Sequence, residues 1–577
     1  RLYESAQTGN FDLYLLFIEK GLELLKSDGR MGYIAPSLWM MNEYGRGLRK
    51  KLKRTRQLDR WVDFKSFQVF DEAITYTALQ FFRGSEVDAI RCAFLPQGNM
   101  TEIEWEKPQA KIRYEDLPSR SNWILLPDMT RRLITRLSKN LERLGDSKWT
   151  QQIFQGIKTS GDNLYIGRNF SNGFFEFKQE KGADRWQVEE ELMWPVVSGP
   201  ELHRYVTVEP DRSILVPYEV DKKSFFPIPM KQLKNSFPGT WRYISSRENG
   251  FKSREKGRMF DSEHWWAYIY PKNLWQMKLP KLMLAGTAPE LRATFDNTGK
   301  IAFMGGRVYG ILPSPGVNIY YLLGLLNSSI LNFYFKRIAR PKAGGYFDVE
   351  TQFLSPLPIP KATEEEKSVV SEKAKHLQIL HTQRRDRVLK CEKRLNSTQT
   401  QPDKRKDTWL WADVGTVASW KKSSDVPEGL KGAQLTAWAK DIAAARRQVY
   451  YEEWDARLHP GVSITVENSV DELQLKVGDV MVLELFDEPE TSFIAAQWRL
   501  VTRDLNITEK FKAKKLVSKL LALRKTDHSA LKERIVSLDD EITEMDKRII
   551  NAEKEMNQMV YGLYGLTDEE IAVVESG

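Results

Sequence analysis

The chain has 577 residues and a mass of 67.0 kDa, too long for a single hydrophobic core, so three or four domains are expected. Its 87 basic and 78 acidic side chains leave a net charge of +9 and a pI near 9.1, which permits a polyanionic partner without requiring one. Mean hydropathy is −0.49 and no run of eighteen apolar residues offers a membrane-spanning helix; Cys92 and Cys391 lack CxxC or histidine spacing, which argues against a disulfide framework or a zinc site and fits a reducing, cytoplasmic setting.

The sequence opens at Arg1, inside what reads as the approach to a helix, and is expected to be a fragment of a longer polypeptide. Residues 11–25 place Leu13, Phe17 and Leu24 at helical spacing, and residues 26–30 supply a turn. A buried strand at 31–35 follows and is ended by Pro36. A basic amphipathic stretch at 44–58 predicts a second helix, and residues 59–64 and 75–82 predict two more strands. Repeated αβ units imply a mostly parallel sheet flanked by helices.

From residue 122 to 360 the texture changes to short aromatic-rich strands separated by Gly, Pro and Asn, with helical periodicity only at 320–335; this predicts an irregular α+β domain. The chain then becomes highly charged. Val370, Ala374, Leu377, His381, Arg384, Val388, Cys391 and Leu395 recur in steps of four and three, and a cleaner series runs Leu531, Ile535, Leu538, Ile542, Met545, Ile549, Ala552, Met556 and Met559. Such heptads predict a coiled coil. Polar residues at two seam positions of the first series predict that the two helices pair with each other as an antiparallel hairpin; the alternative is two separate helices on a globular core. Residues 397–406 are linker-like, and 409–505 read as a small inserted α/β domain of no legible function. The expected fold class is α/β plus α+β with a helical arm. The expected boundaries are 1–120, 121–362, 363–400 with 506–560, 401–505, and a tail at 561–577.

Two stretches, FDLYLLFIEKGLELLKSDGR followed by MGYIAPSLW, and QVFDEAITYTALQFF, resemble the second half of the Rossmann-like catalytic domain of TaqI-type adenine-specific DNA methyltransferases. GIKTSGDNLY, PVVSGPELHRY, ILVPY, LPKLMLAG, LLGLLNSSILNFYF and GGYFDVETQFLSPLPIP resemble the TaqI-like specificity domain, and VYGLYGLTDEE resembles a tail of long restriction-modification polypeptides. The resemblance implies an S-adenosylmethionine-dependent enzyme that acts on double-stranded DNA and flips its target adenine out of the stack, which requires aromatic faces to replace lost base stacking. Phe70 matches the aromatic that stacks on the flipped base, Phe17 a residue against the cofactor, and Pro36 the end of the strand beside that pocket. Phe70 and Phe17 could equally be core side chains. The family's glycine-rich cofactor loop, the acidic residue after its first strand and its Asn-Pro-Pro-Tyr loop do not occur in these 577 residues. They are expected upstream, so this chain alone is not expected to methylate. The alternative reading is a non-catalytic DNA specificity subunit of a restriction or phage-defence complex.

DNA contacts are expected at the 156–160 turn with Lys158, Thr159 and Ser160, at Arg204, and at Arg247, Lys252 and Arg254. A second basic group, Lys336, Arg337, Arg340 and Lys342, leads into Gly344, Gly345 and Tyr346, where glycines let backbone approach a phosphate. Each cation taken singly could be an ordinary solvated side chain. A partner or fused nuclease is conceivable for such a polypeptide. Pro210-Asp211 followed by Asp221-Lys222-Lys223 superficially spells a metal-nuclease motif, but so short a string arises easily by chance.

Overall fold

The computed structural model describes the chain except residues 1–2, 8–10, 66, 68, 71–74, 96–97, 120–121, 171, 179–181, 343, 404–413, 460, 486–489, 506 and 508–510, and except the side chains of 102, 481–482 and 485. It divides into two compact units, Arg1–Ile379 with Ala552–Gly577, and Leu380–Asn551.

The first unit begins with α1 (Leu13–Leu24), β1 (Arg30–Pro36), α2 (Arg46–Thr55), β2 (Leu58–Asp63), β3 (Thr77–Arg83), β4 (Ala89–Phe94) and β5 (Ala110–Arg113). Helix α1 buries Leu15, Ile18 and Leu22, one face at helical spacing, together with Glu19. The Glu19 carboxylate accepts from the Ser5 amide at 2.8 Å and from Lys51 Nζ at 3.0 Å, so the charge is buried with partners. The second apolar stripe of the helix, Leu13, Phe17 and Leu24, stays exposed.

The strands are ordered β1-β3-β2-β4-β5. The α2 crossover leaves β1 and β2 pointing the same way, as the αβ pattern predicts, but β3 inserts antiparallel between them. Only β2 and β4 pair in parallel, and β5 returns antiparallel. The expected mostly parallel sheet is thus corrected to a mixed one, because β3 and β5 run antiparallel to the strands they pair with. Its core is built on tryptophans: Trp39 meets Trp61 edge-on with ring centroids 5.9 Å apart and lies 6.1 Å from Trp123.

Helix α3 (Asp128–Asn140) then buries Leu133, Ile134 and Leu137. Two larger sheets follow. One has six strands in the spatial order Ala183–Gln187, Phe174–Lys178, Ile166–Asn169, Arg212–Leu215, Met193–Val197 and Ala302–Phe303. The other has four, Ala293–Asp296, Lys281–Ala285, Val308–Pro313 and Thr150–Gln155. Lys281 and Asp296, on adjacent strands, form a fully buried ion pair at 2.6 Å. Helices α4 (Ile319–Leu326) and α5 (Ser329–Ile338) are apolar nearly all round, which suits their burial in the main core with Val370, Ala374, Met556 and Tyr564. The short helices of the 230–257 stretch, Pro238–Ser246 among them, and α3 carry no periodicity that the sequence reading picked out.

In the second unit, residues 380–395 of the helix Glu364–Leu395 lie against the helix Ser529–Leu563. Arg384 pairs with Asp546 at 2.5 Å and Arg387 with Glu541 at 2.9 Å, so one residue number falls as the other rises and the two helices run antiparallel. Cys391, Leu395, Leu531, Ile535, Leu538 and Ile542 are buried between them, and Phe493 and Ala496 of the helix Thr491–Thr502 join the same cluster. The remainder of this unit includes a three-stranded antiparallel meander, Ile464–Asn468, Leu473–Val477 and Val480–Leu485, and the helix Gly432–Asp455.

Candidate functional site

The turn at 156–161 is held from below. Ile157 donates to the Phe303 carbonyl at 2.8 Å and its own carbonyl accepts from Gly305 at 2.7 Å. A Cβ at Gly156 would lie 2.2 Å from the Phe303 carbonyl oxygen, so only glycine passes so close to that strand. Thr159 is fully buried, and its hydroxyl donates to Asp162 at 2.6 Å and accepts from the Gly161 amide. Lys158 is exposed, with its Nζ 4.7 Å from the centroid of the Tyr270 ring.

Arg254 sits beneath this turn. Its guanidinium donates to the carbonyls of Phe251, Thr159, Trp265 and Ala267 at 2.7–3.1 Å, and only 6% of the residue is exposed. The next residues, Glu255, Lys256 and Gly257, all have left-handed backbone, as does Ser160 opposite them. Three non-glycine residues in that region store strain, which the surrounding hydrogen bonds must offset. Glu255 accepts from Ser160 Oγ at 2.7 Å and Tyr270 Oη at 2.8 Å, and these bonds hold its carboxyl below the usual range. The result is a rigid double loop presenting Lys158, Ser160, Glu255 and Lys256.

The other basic candidates divide by environment. Arg204 donates to the Asn327 carbonyl at 2.6 Å and pairs with Glu553 at 3.4 Å, so its charge is committed inside the unit. Arg247 pairs with Asp184 over the Tyr243 ring, and Lys252 pairs with Glu248 at 2.5 Å. Arg340 and Lys342 both reach Asp348, at 3.4 and 2.6 Å. Lys336 and Arg337, in the last turn of α5, have no carboxylate within 4.0 Å among the described residues; Arg337 lies over the Phe333 ring at 3.7 Å and donates to the Phe333 carbonyl.

Phe70 lies in the segment joining β2 to β3 and is 43% exposed. Phe17 is 62% exposed on α1, and Pro36 ends β1 opposite Thr77. Neither Phe17 nor Phe70 is a core residue. A pocket of about 450 Å³ opens at the same end of the sheet, lined by Ser37 after β1, Asp63 at the end of β2, Tyr76 before β3, and Lys336, Arg337 and Tyr346.

Residues 1–70 match the Eco57I restriction-modification methylase family, and residues 197–359 match the TaqI-like C-terminal specificity domain. The two matches put a segment similar to that methylase ahead of a segment similar to that specificity domain. It is 26% identical over 376 residues to the Type II restriction enzyme and methyltransferase RM.Eco57I of Escherichia coli, covering 62% of this chain and 37% of that protein. It is 22% identical over 380 residues to the Type II methyltransferase M.BstVI of Geobacillus stearothermophilus, covering 60% and 61%. The chain therefore spans less than two thirds of either relative. Among solved structures it is similar to the Type IIL restriction-modification enzyme MmeI in complex with DNA, with 12% identity, 65% of this chain and 45% of that chain covered, and a TM-score of 0.41.

Within the specificity domain, Arg204 and the Lys281–Asp296 pair tie strands and helices together, whereas Lys336, Arg337 and Tyr346 line the pocket. The Asp211 and Asp221 string divides between unrelated settings. Asp211 is 65% exposed and faces Arg168 and Arg212 at 3.8 Å, while the Asp221 amide closes a hairpin turn on the Ser224 carbonyl at 2.9 Å. No group of three metal-ligating side chains occurs among the described residues. The sequence reading missed Glu255, Lys256 and the pocket. A run of charge, Arg254-Glu-Lys-Gly257, was the signal available for the loop, but it does not say which member is buried.

Proposed function

We propose that the chain is the DNA-recognising part of a site-specific adenine DNA methyltransferase of a restriction-modification system. The observation that carries this reading is the order of the two matched segments, methylase then specificity domain, with an exposed Phe70 on the segment leading out of β2. In this reading the 156–160 turn and the loop at Glu255 meet base edges and phosphates of duplex DNA. Arg254 fixes the turn from within. Arg247 and Lys252 are paired with Asp184 and Glu248 and would meet a phosphate by exchanging those partners.

Phe70 stacks on the extruded adenine, a contribution of about 1–3 kcal/mol for each base so held. S-adenosylmethionine supplies an electrophilic methyl group when bound. The surface of this chain that fits it is the exposed apolar stripe of Leu13 and Phe17 on α1, with Pro36 closing the neighbouring strand. The upstream half of the methylase and a fused or partner nuclease are the proposed companions.

The test is duplex binding by this chain at increasing salt together with methyl transfer by the full-length polypeptide. Binding that weakens steeply with salt, and label transferred to adenine only by the full-length polypeptide, is the expected result. A full-length polypeptide that labels no adenine, beside a chain that binds specific duplex, replaces the enzyme with a specificity subunit.

A further inference from the structure

Lys336 and Arg337 are the two cations of the second basic group with no carboxylate within 4.0 Å among the described residues; Arg340 and Lys342 share Asp348. Both lie on the wall of the 450 Å³ pocket and are partly buried. Burial pushes the Lys336 ammonium down from its usual value and the Arg337 guanidinium down to about 10. The carbonyl end of α5 favours cations in its last turn, which accounts for positive charge there. It does not account for holding two of them partly buried with no carboxylate within 4.0 Å among the described residues, because withdrawing an unpaired charge from water is costly. Such a site becomes favourable when an anion occupies it.

The rest of the pocket says what else the occupant carries. Its walls are mainly apolar, with Phe94, Ile124, Tyr346 and Phe347 among the lining residues, and its volume suits one nucleotide. Lys65 and Asp63 pair with each other at 2.9 Å, so the acid on the wall is neutralised. We propose that this pocket takes one nucleotide of the bound DNA strand, its phosphate on Lys336 and Arg337 and its base against Tyr346 and Phe347. The inference rests on the proposed DNA-binding function and adds a defined nucleotide subsite to it, separate from Phe70, which does not line the pocket.

The experiment titrates the chain with 2′-deoxyadenosine 5′-monophosphate, with the unphosphorylated nucleoside and with inorganic phosphate, by calorimetry, and with duplex DNA across a salt series. The nucleotide binds at least tenfold more tightly than the nucleoside, and phosphate competes. Arg337→Ala with Lys336→Ala weakens the nucleotide at least tenfold and lowers the magnitude of the salt slope for duplex by about one phosphate contact. Arg337→Lys, which keeps the charge, restores most of both, and circular dichroism melting identifies any variant that fails to fold. Equal binding of nucleotide and nucleoside, or binding indifferent to both cations in folded variants, overturns the subsite while salt-sensitive duplex binding leaves the proposed function standing. Absence of duplex binding by the wild-type chain overturns the function itself.

Discussion

Arg254 Nη1 donates to the carbonyl of Thr159 across 95 residues of sequence at 3.1 Å, and the same guanidinium satisfies three further carbonyls. The turn that carries Lys158 is therefore shaped by a buried cation distant in sequence as well as by its own Gly156 and Thr159. Arg254→Ala removes the donor from four carbonyls and is expected to cost about 3 kcal/mol or more of stability. Arg254→Lys keeps the charge but not the fork geometry and should recover only part of it. Chemical unfolding of the two variants beside the wild type gives both numbers. A variant with unchanged stability would show that the guanidinium is not a strut.

Phe17 is 62% exposed, so Phe17→Ala should change the stability of this chain by less than about 0.5 kcal/mol. In the full-length polypeptide the same change should raise the concentration of S-adenosylmethionine needed for half-maximal rate several-fold. Thermal melting and a cofactor titration separate the two. A large loss of stability in the chain would make Phe17 a packing residue and remove it from the cofactor surface.

Asp59 accepts from Arg83 at 2.8 Å and from Arg91 at 2.7 Å, linking β2 to its two neighbours. Burial alone would raise its pKa, but the hydrogen bonds from Arg91 and Arg83 more than offset this and hold it below the usual carboxylate value. A carboxyl depressed in the folded state contributes stability that is present above the unfolded value, about 3.9, and is lost as the pH falls through the lower folded value. Asp59→Asn should therefore destabilise the sheet at neutral pH and flatten the fall in stability below about pH 4. Unfolding midpoints at pH 3 and pH 7 check this; an unchanged acid slope would contradict it.

Much of the architecture was legible because it rests on local patterns. The strand 30–36, the basic helix at 46–55 and the two long heptad helices follow from spacing alone. The direction of β3 was not legible, since strand pairing across 40 residues leaves no periodic trace. The helix at 128–140 was missed although Thr130, Leu133, Ile134 and Leu137 recur at helical spacing, whereas the helix at 238–246 was not legible, being anchored by aromatic contacts such as Tyr243 on Phe177. At the site, the basic residues could be read as a set, but a sequence cannot separate Arg254, enclosed by carbonyls, from Arg337, which lines a pocket and has no carboxylate within 4.0 Å among the described residues. That distinction depends on which residues distant in sequence come together, and it decides which charges are free to meet DNA.

The most direct test of the whole account is adenine methylation of duplex DNA by the full-length polypeptide, wild type beside Phe70→Ala, with duplex binding measured on both. Methylation by the wild type is expected, with a loss of about 5- to 150-fold in the variant, the equivalent of about 1–3 kcal/mol of stacking, and with duplex binding retained. A wild-type polypeptide that methylates no adenine, or a folded Phe70→Ala variant that methylates at the wild-type rate, would contradict it.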